Sequence, residues 1–221
     1  MLLEKYEKER DLQLRVMQYQ INPHFIYNTL ATIRAKALKN GETAVSEDIR
    51  LFSKMLGNVL SHKGKLSNIE KEMEILKDYI YFHKLRCGFK FDAEFEIDKS
   101  LYNFKIPNLL LQPIVENSIL HGLNFKINEQ NDAIIKISVL KNNGKIMLIV
   151  EDNGCGIDEQ ILKDRFQSKK ESIGNSIGIR NVIERLKLIY SDKAELKIET
   201  QKDEYTKVII EIVDGMDSED Y

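Results

Sequence analysis

Residues 107–122 read Pro-Asn-Leu-Leu-Leu-Gln-Pro-Ile-Val-Glu-Asn-Ser-Ile-Leu-His-Gly. Their apolar spacing predicts a helix that opens at Pro107 and runs to about Gly122. Asn117 and His121 are four residues apart and are therefore neighbours on one helix face. An amide oxygen is a suitable ligand for Mg²⁺, and an imidazole can donate to phosphate oxygens. The simpler alternative is that both side chains merely close a helix before a glycine.

Two further segments place glycines where a nucleotide can approach the backbone. Residues 150–157 read Val-Glu-Asp-Asn-Gly-Cys-Gly-Ile and follow a predicted strand, so that Asp152 can accept a hydrogen bond from an adenine amino group. Gly154 and Gly156 permit a tight turn against a flat base. Gly178 opens a predicted helix whose free amides suit phosphate. Taken singly, each signal fits an ordinary turn equally well.

The sequence around these segments alternates between strand and helix patterns. The predicted strands are residues 89–97, 135–139, 146–150, 194–200 and 206–213. An Asn-Asn-Gly turn at 142–144 predicts a β-hairpin, and Ser-Asn-Ile-Glu at 67–70 predicts a capping box that begins a helix. The polar loop 158–177, which contains Lys169 and Lys170, is predicted to act as a mobile lid.

The amino-terminal part has a different pattern, because its residues are helix-compatible almost throughout. Pro23 alone interrupts the run, and Asn-Gly at 40–41 ends it. A second apolar stripe, 45–59, predicts a helical hairpin or a bundle seam shared with a second copy. The fold class is therefore α+β. Residues 1–65 form a helical region, residues 66–214 form an α/β sandwich with helices on one face of a mixed sheet, and residues 215–221 are an acidic tail.

Composition excludes several classes of protein. The formal net charge is −2, from 33 basic and 35 acidic side chains without a basic stripe, which disfavours nucleic-acid binding. Cys87 and Cys155 are too few for a disulfide framework or a thiolate metal site. No apolar run reaches the roughly 18–20 residues that cross a bilayer, so the chain as given is expected to be cytoplasmic. Its opening in a charged helical pattern predicts that this helix continues upstream of Met1.

The order of the three segments resembles that of the GHKL superfamily (gyrase, Hsp90, histidine kinases and MutL), whose members share the Bergerat ATP-binding fold. The resemblance implies the following roles: Asn117 as the N-box asparagine that holds Mg²⁺, His121 near the phosphates, Asp152, Gly154 and Gly156 as the adenine-reading G1 box, and Gly178 as the second glycine of the G2 box. There are three departures. Ser176 replaces the first G2 glycine, Leu120 replaces a lysine common in close relatives, and no glycine precedes Thr206.

Residues 18–30 read Gln-Tyr-Gln-Ile-Asn-Pro-His-Phe-Ile-Tyr-Asn-Thr-Leu and closely resemble the H-box of the LytS/YesM branch of sensor histidine kinases. The match implies that His24 is the phosphoacceptor; without it, a structural histidine beside a proline kink would be the simpler interpretation. An attacking imidazole must be neutral, exposed and held in one tautomer. Asn28, one turn on, can orient the ring. Phe25 occupies the position that is acidic in other branches, so no general base is identified.

The resemblance implies an ATP- and Mg²⁺-dependent kinase core that phosphorylates itself on His24 and passes the phosphoryl group to an aspartate of a response regulator. It also implies a homodimer and a full-length protein anchored in the bacterial membrane through segments absent from this chain. One alternative is a degenerate, non-catalytic GHKL module, which the altered glycines suggest. The other is a GHKL ATPase, which needs a carboxylate one turn before Asn117, where this chain has Pro113. Glu116 lies on the wrong face for that role unless the helix is irregular.

Overall fold

The computed structural model describes residues 23–61, 66–86, 90–123, 133–158 and 177–214. The chain divides into two compact units, residues 1–61 and 62–221. The sequence predictions for the helix upstream of Pro23, for the lid and for the acidic tail lie outside the described residues. Among the helices that are described, none combines the length and the apolar character needed to cross a membrane.

The first unit contains a helical hairpin, as predicted. Helix α1 spans Pro23–Lys39 and helix α2 spans Thr43–Ser61. The amide of Glu42 donates to the Ala37 carbonyl at 2.9 Å, and Gly41 takes a positive φ of 79°, so the chain reverses between the helices. The helices approach closely, because a Cβ added to Gly57 would lie 3.0 Å from the Tyr27 hydroxyl oxygen.

The second unit contains a mixed sheet of five strands in the order β2-β4-β5-β7-β6. These strands are β2 Phe91–Ile97, β4 Ala133–Asn142, β5 Lys145–Asp152, β6 Ala194–Gln201 and β7 Tyr205–Val213. Strand β2 runs parallel to β4, and the other pairs are antiparallel. The predicted hairpin joins β4 to β5 through Asn143 and Gly144, both of which have positive φ. Two short strands, β1 Leu66–Asn68 and β3 Lys105–Pro107, pair with each other apart from this sheet.

One face of the sheet is buried beneath helices. Alternate residues along the central strands are fully buried, and register brings Val139, Leu148 and Ile210 side by side across three strands. The covering helices are α3 Ile69–Arg86, α4 Gln112–Asn117 and α5 Ile177–Tyr190. Helix α5 is also tied to β3 at its far end, where the Tyr190 hydroxyl donates to the Lys105 carbonyl at 2.9 Å. The predicted α+β fold class is confirmed.

Two predicted helix starts are wrong in detail. Helix α3 is capped by Asn68, whose Oδ1 accepts from the amide of Lys71 at 3.0 Å, whereas Ser67 of the predicted capping box belongs to strand β1. Pro107 ends strand β3 and does not open a helix. The chain first turns through Leu109, with φ 52°, and the helix begins at Gln112. In both cases strand pairing takes residues that the local sequence pattern assigned to a helix.

Candidate functional site

A cavity of about 480 Å³ opens in the second unit between the end of α4, the end of β5, the start of α5 and the turn between β6 and β7. It brings together four of the residues selected from the sequence, namely Asn117, His121, Asp152 and Gly156. Much of the remaining wall is aliphatic, contributed by Ile114, Ile157, Ile179, Ile198 and Val208. Concave, mainly apolar cavities with a few convergent polar groups are typical ligand sites.

Asn117 and His121 reach this cavity from a helix that changes form between them. Helix α4 is regular to Asn117, and Ser118–Gly122 continues it as one π-helical turn. Such wider turns are rare and occur frequently at functional sites. Asn117 is half-buried and His121 is exposed. The prediction that the two side chains share a face agrees with their common lining of the cavity.

Asp152 is the most deeply buried polar residue of the cavity, with 2% of its surface exposed. It ends strand β5, and its Oδ1 accepts from the amide of Gly154 at 3.1 Å. A Cβ added to Gly122 would lie 2.6 Å from the same oxygen, so the backbone at 122 touches the carboxylate directly. A buried carboxylate beside aliphatic side chains favours a ligand that presents an N–H donor on an otherwise apolar surface.

Two glycines allow the loop after β5 to pass between neighbouring backbones. A side chain on Gly154 would overlap the backbone of Gly122, and one on Gly156 would overlap the Gln201 carbonyl. Gly156 also has φ 60°, a conformation that residues with side chains adopt less readily. Cys155, the residue between the two glycines, is bonded on both sides. Its amide donates to the Gly122 carbonyl at 3.1 Å, and its carbonyl accepts from the Asp203 amide at 2.7 Å.

Gly178 lies beside the cavity at the start of α5. A Cβ added there would lie 3.3 Å from the Pro113 Cβ and 3.8 Å from the Asn117 Nδ2. This glycine therefore lets the first turn of α5 approach α4 where α4 carries its amide side chain. The preceding residue of the predicted motif, Ser176, lies outside the described residues.

Several residues of the site were not selected from the sequence. Asn153 fixes the end of β5 by accepting from the Ile134 amide at 2.8 Å, and the Thr200 hydroxyl accepts from the Ile157 amide at 2.8 Å. Burial raises the pKa of the Cys155 thiol, and the nearby Asp152 adds to this, so the thiol remains protonated and donates to a backbone carbonyl. A polar turn was the only local signal for Asn153 and Cys155, and Thr200 lies within a strand, so their roles depend on partners that are distant in the sequence.

The predicted phosphoacceptor lies in the first unit, on the first turn of α1. His24 is exposed, and the Asn28 side-chain nitrogen lies 3.2 Å from its Nδ1 and 3.5 Å from its Nε2. The prediction that Asn28 contacts the ring therefore agrees with the geometry. Pro23 is the first described residue of α1, so the predicted bend at this proline lies at the edge of the described residues.

Comparison with known proteins gives two family matches. The family described as histidine kinase matches residues 12–91, and the family described as histidine kinase-, DNA gyrase B-, and HSP90-like ATPase matches residues 107–218. The chain is 33% identical to the sensor histidine kinase YpdA of Escherichia coli over 86% of its length, and 30% identical to the sensor histidine kinase YesM of Bacillus subtilis over 95%. These alignments cover 33% and 35% of the two relatives, so the chain spans about a third of their length.

A solved structure supports the fold at lower sequence identity. The Acinetobacter baumannii histidine kinase AdeS superposes with a TM-score of 0.50 at 15% identity, covering 88% of this chain and 96% of that one. At such identity the likeness concerns the fold alone.

Proposed function

This chain belongs to the family of histidine kinase-, DNA gyrase B- and HSP90-like ATPases, and on that premise we propose that it is the kinase core of a two-component sensor. It binds ATP with Mg²⁺, phosphorylates His24 and passes the phosphoryl group to an aspartate of a response regulator. Residues 1–65 serve as the dimerisation and phosphoacceptor region, residues 66–214 bind the nucleotide, and residues 215–221 are a tail.

The observation that carries the proposal is the buried Asp152 carboxylate in a largely aliphatic cavity. Adenine is flat, largely apolar and carries an exocyclic amino group, so it matches the aliphatic walls and gives Asp152 a donor. The amides at the start of α5, beginning near Gly178, suit the phosphates. His121 and Asn117, on the same cavity, provide a donor and an oxygen ligand towards the triphosphate.

The donor set fits a metal ion that arrives with the nucleotide. In the described part of the chain, no cluster of three or more His, Cys, Asp or Glu side chains is arranged to hold a metal by itself. Mg²⁺ in nucleotide sites commonly takes one or two protein oxygens, with phosphate oxygens and waters completing its shell. Asn117 would supply that protein oxygen, and the ion would neutralise charge on the phosphates.

At the acceptor, the neutral His24 ring supplies the electron pair. A 180° flip of the Asn28 amide would present its oxygen to the ring, and in the tautomer that carries its proton on Nδ1 the Nε2 lone pair would be left to react. Nε2 then forms a bond to the γ-phosphorus while the bond from that phosphorus to the β–γ bridging oxygen breaks. ADP leaves with the bonding electrons, and the Nδ1 proton passes to water. Phe25 offers no base at the next position.

Simple ATP hydrolysis is disfavoured by the residues around Asn117. A hydrolase needs a carboxylate to activate water, and the position one turn earlier is Pro113. Glu116 is exposed and does not line the cavity. The described residues of α4 therefore offer no carboxylate directed at the site.

Incubation with γ-labelled ATP tests the proposal. We expect the wild type to gain a label that is stable in base and lost in acid, as phosphohistidine is, and His24→Gln to gain none. ATP binding, measured by calorimetry, is the control, because His24→Gln leaves the cavity residues untouched and should bind as the wild type does. Steady hydrolysis by both proteins would instead identify an ATPase. Absence of binding in both would identify a non-catalytic module.

A further inference from the structure

The turn that precedes α4 is buried and unusually shaped. Leu109 has φ 52°, a left-handed conformation that is uncommon for a residue with a branched side chain. Leu110 and Leu111 are completely buried. The backbone groups of Leu110 and Leu111 are thus removed from water and those of Leu109 partly so, and buried backbone groups need partners within the protein.

A carboxylate from α3 provides partners for the amides. Glu72 is completely buried, and its Oε2 accepts from the Leu109 amide at 2.9 Å while its Oε1 accepts from the Leu111 amide at 2.8 Å. Leu111 immediately precedes α4, which has no side-chain cap of its own. Burial raises the pKa of Glu72 to about 7, against the opposing effect of the amide donors and of Arg185. Keeping a carboxylate here is therefore costly.

A guanidinium from α5 provides partners for the carbonyls of the same turn. Arg185 donates to the Leu109 carbonyl at 3.3 Å and also to the Asn108 carbonyl. Helix α5 is the element whose first turn, at Gly178, lies against Asn117. The turn is thus held by α3 through its amides and by α5 through its carbonyls.

We propose that Glu72 is a positioning residue of the nucleotide site, which acts with Arg185 on the 108–111 turn to set where α4 presents Asn117 to the metal-bound phosphates. The inference rests on the proposed function, since it concerns the metal-dependent part of ATP binding. Glu72 lies upstream of residues 107–218, the part matched by the ATPase family. The residue that positions Asn117 is therefore supplied from outside that segment.

The two halves of the site respond differently to this arrangement. Asp152 belongs to β5 and is placed by the sheet, whereas Asn117 is placed by α4 and hence by the turn before it. Gly122, which touches the Asp152 carboxylate, lies further along the same helical segment than Asn117. A displaced turn therefore weakens the metal-dependent contribution more than the contacts to the base. A residue that only stabilised the fold would change both contributions by the same factor.

Calorimetric titration of ATP, with Mg²⁺ and again with EDTA, separates these outcomes in the full chain. In Glu72→Gln, the side-chain NH2 group would face a backbone N–H of the turn, so that one of the two hydrogen bonds is lost. We expect the dissociation constant with Mg²⁺ to rise at least tenfold and that with EDTA to change less than threefold. Glu70→Gln, an exposed neighbour on the same helix, is the matched control and should match the wild type in both titrations. Equal changes with and without Mg²⁺, or none, would overturn the proposal.

A second variant tests the turn from its other side in case Glu72→Gln does not fold. Arg185→Met removes the donor to the two carbonyls and is expected to weaken binding with Mg²⁺ about fivefold or more while sparing binding with EDTA. Lys187→Met, an exposed basic residue of the same helix, is its control. A folded Arg185→Met protein with wild-type values in both titrations would contradict the proposal. If the wild type itself fails to bind ATP, the proposed function fails, and that result is distinct from all of these.

Discussion

The two units of the chain differ in the proportion of their apolar side chains that they bury. In the sandwich, the central strands and the three helices bury one another's aliphatic faces, and the ligand cavity lies within that single unit. The described part of the helical hairpin buries far fewer apolar side chains, and its exposed large ones are Phe25, Ile33, Leu38, Val45 and Phe52. The second unit exposes as many, but over a much longer stretch of chain. Monomeric proteins rarely expose many such side chains together. The cavity proposed for the nucleotide is lined by residues of one unit alone, whereas the exposed apolar residues of the hairpin are where we propose the contact with a second copy.

The largest effect should come from removing the side-chain amide of Asn117, which lines the cavity. We expect Asn117→Ala to lower the rate of phosphate labelling by about a thousandfold, roughly 4 kcal/mol of transition-state stabilisation. Because the side chain is only half-buried, thermal unfolding should change little. Labelling kinetics and a melting curve on the same preparation measure both. Near wild-type labelling would show that Asn117 does not act on the metal-bound phosphates.

The next effect concerns pH and separates the buried acid of the sandwich from exposed acids. Between Glu72's ordinary pKa of 4.5 and its folded value of about 7, the folded protein holds a proton that the unfolded chain releases. This contribution to stability is complete below pH 4.5 and is lost as the pH rises through 7. The unfolding free energy of the wild type relative to Glu72→Gln should therefore fall by roughly 3 kcal/mol from pH 4.5 to pH 8.

Urea unfolding at a series of pH values measures this difference. Glu70→Gln should keep the wild-type slope, since Glu70 is exposed. Parallel curves for the wild type and Glu72→Gln would mean that Glu72 has an ordinary pKa. They would also remove the contrast with the hairpin, where the bond to Arg50 lowers the pKa of the exposed Glu47.

A smaller effect is expected from the base-reading carboxylate. Asp152→Ala should weaken ATP binding about thirtyfold, or roughly 2 kcal/mol, because one buried acceptor is lost. The weakening should be the same with Mg²⁺ and with EDTA, in contrast to Glu72→Gln. Calorimetry on both variants under both conditions tests this. Loss confined to the Mg²⁺ titration would place Asp152 near the phosphates instead of the base.

The smallest effect should appear in self-association of the hairpin. We expect the chain to dimerise through residues 1–60, and Phe52→Asp, which places a charge on the exposed apolar side of α2, to raise the dimer dissociation constant about tenfold. Lys54→Asp, an exposed position on the same helix, is the charge-changing control. Sedimentation equilibrium measures both. A wild type that remains monomeric at high concentration would show that the exposed apolar residues of the hairpin do not contact a second copy.

Local chemistry made much of the fold predictable. The Asn-Asn-Gly turn at 142–144 specifies a hairpin because both central residues must take positive φ, and the structure places it there. Asn-Gly at 40–41 ended a helix for a related reason. The cavity residues could be selected because three segments with glycine, aspartate and asparagine, each of which alone fits an ordinary turn or helix end, occur in an order that resembles the GHKL superfamily.

Long-range contacts account for what was missed. Pro107 reads as a helix start, yet β1 pairs with β3 and keeps it extended. Glu72 bonds to amides 37 and 39 residues away, and no local pattern distinguishes it as a partner of that turn. The position of Glu72 in the helical repeat did indicate burial, because it lies three residues after Ile69 and four before Leu76, on the buried side of α3. A carboxylate on the same helix face as core residues therefore predicts a buried hydrogen-bond donor as its partner.

The direct contact between Gly154 and the backbone of Gly122 limits how the cavity can be re-engineered. Where main chain meets main chain there is no side chain to shorten, so a bulkier nucleotide analogue cannot be accommodated by a compensating substitution on that wall. Space for an enlarged base must come from the aliphatic walls, for example by replacing Ile198 or Val208 with alanine. Analogue-sensitive variants of this protein should therefore be sought on the β6–β7 side of the cavity.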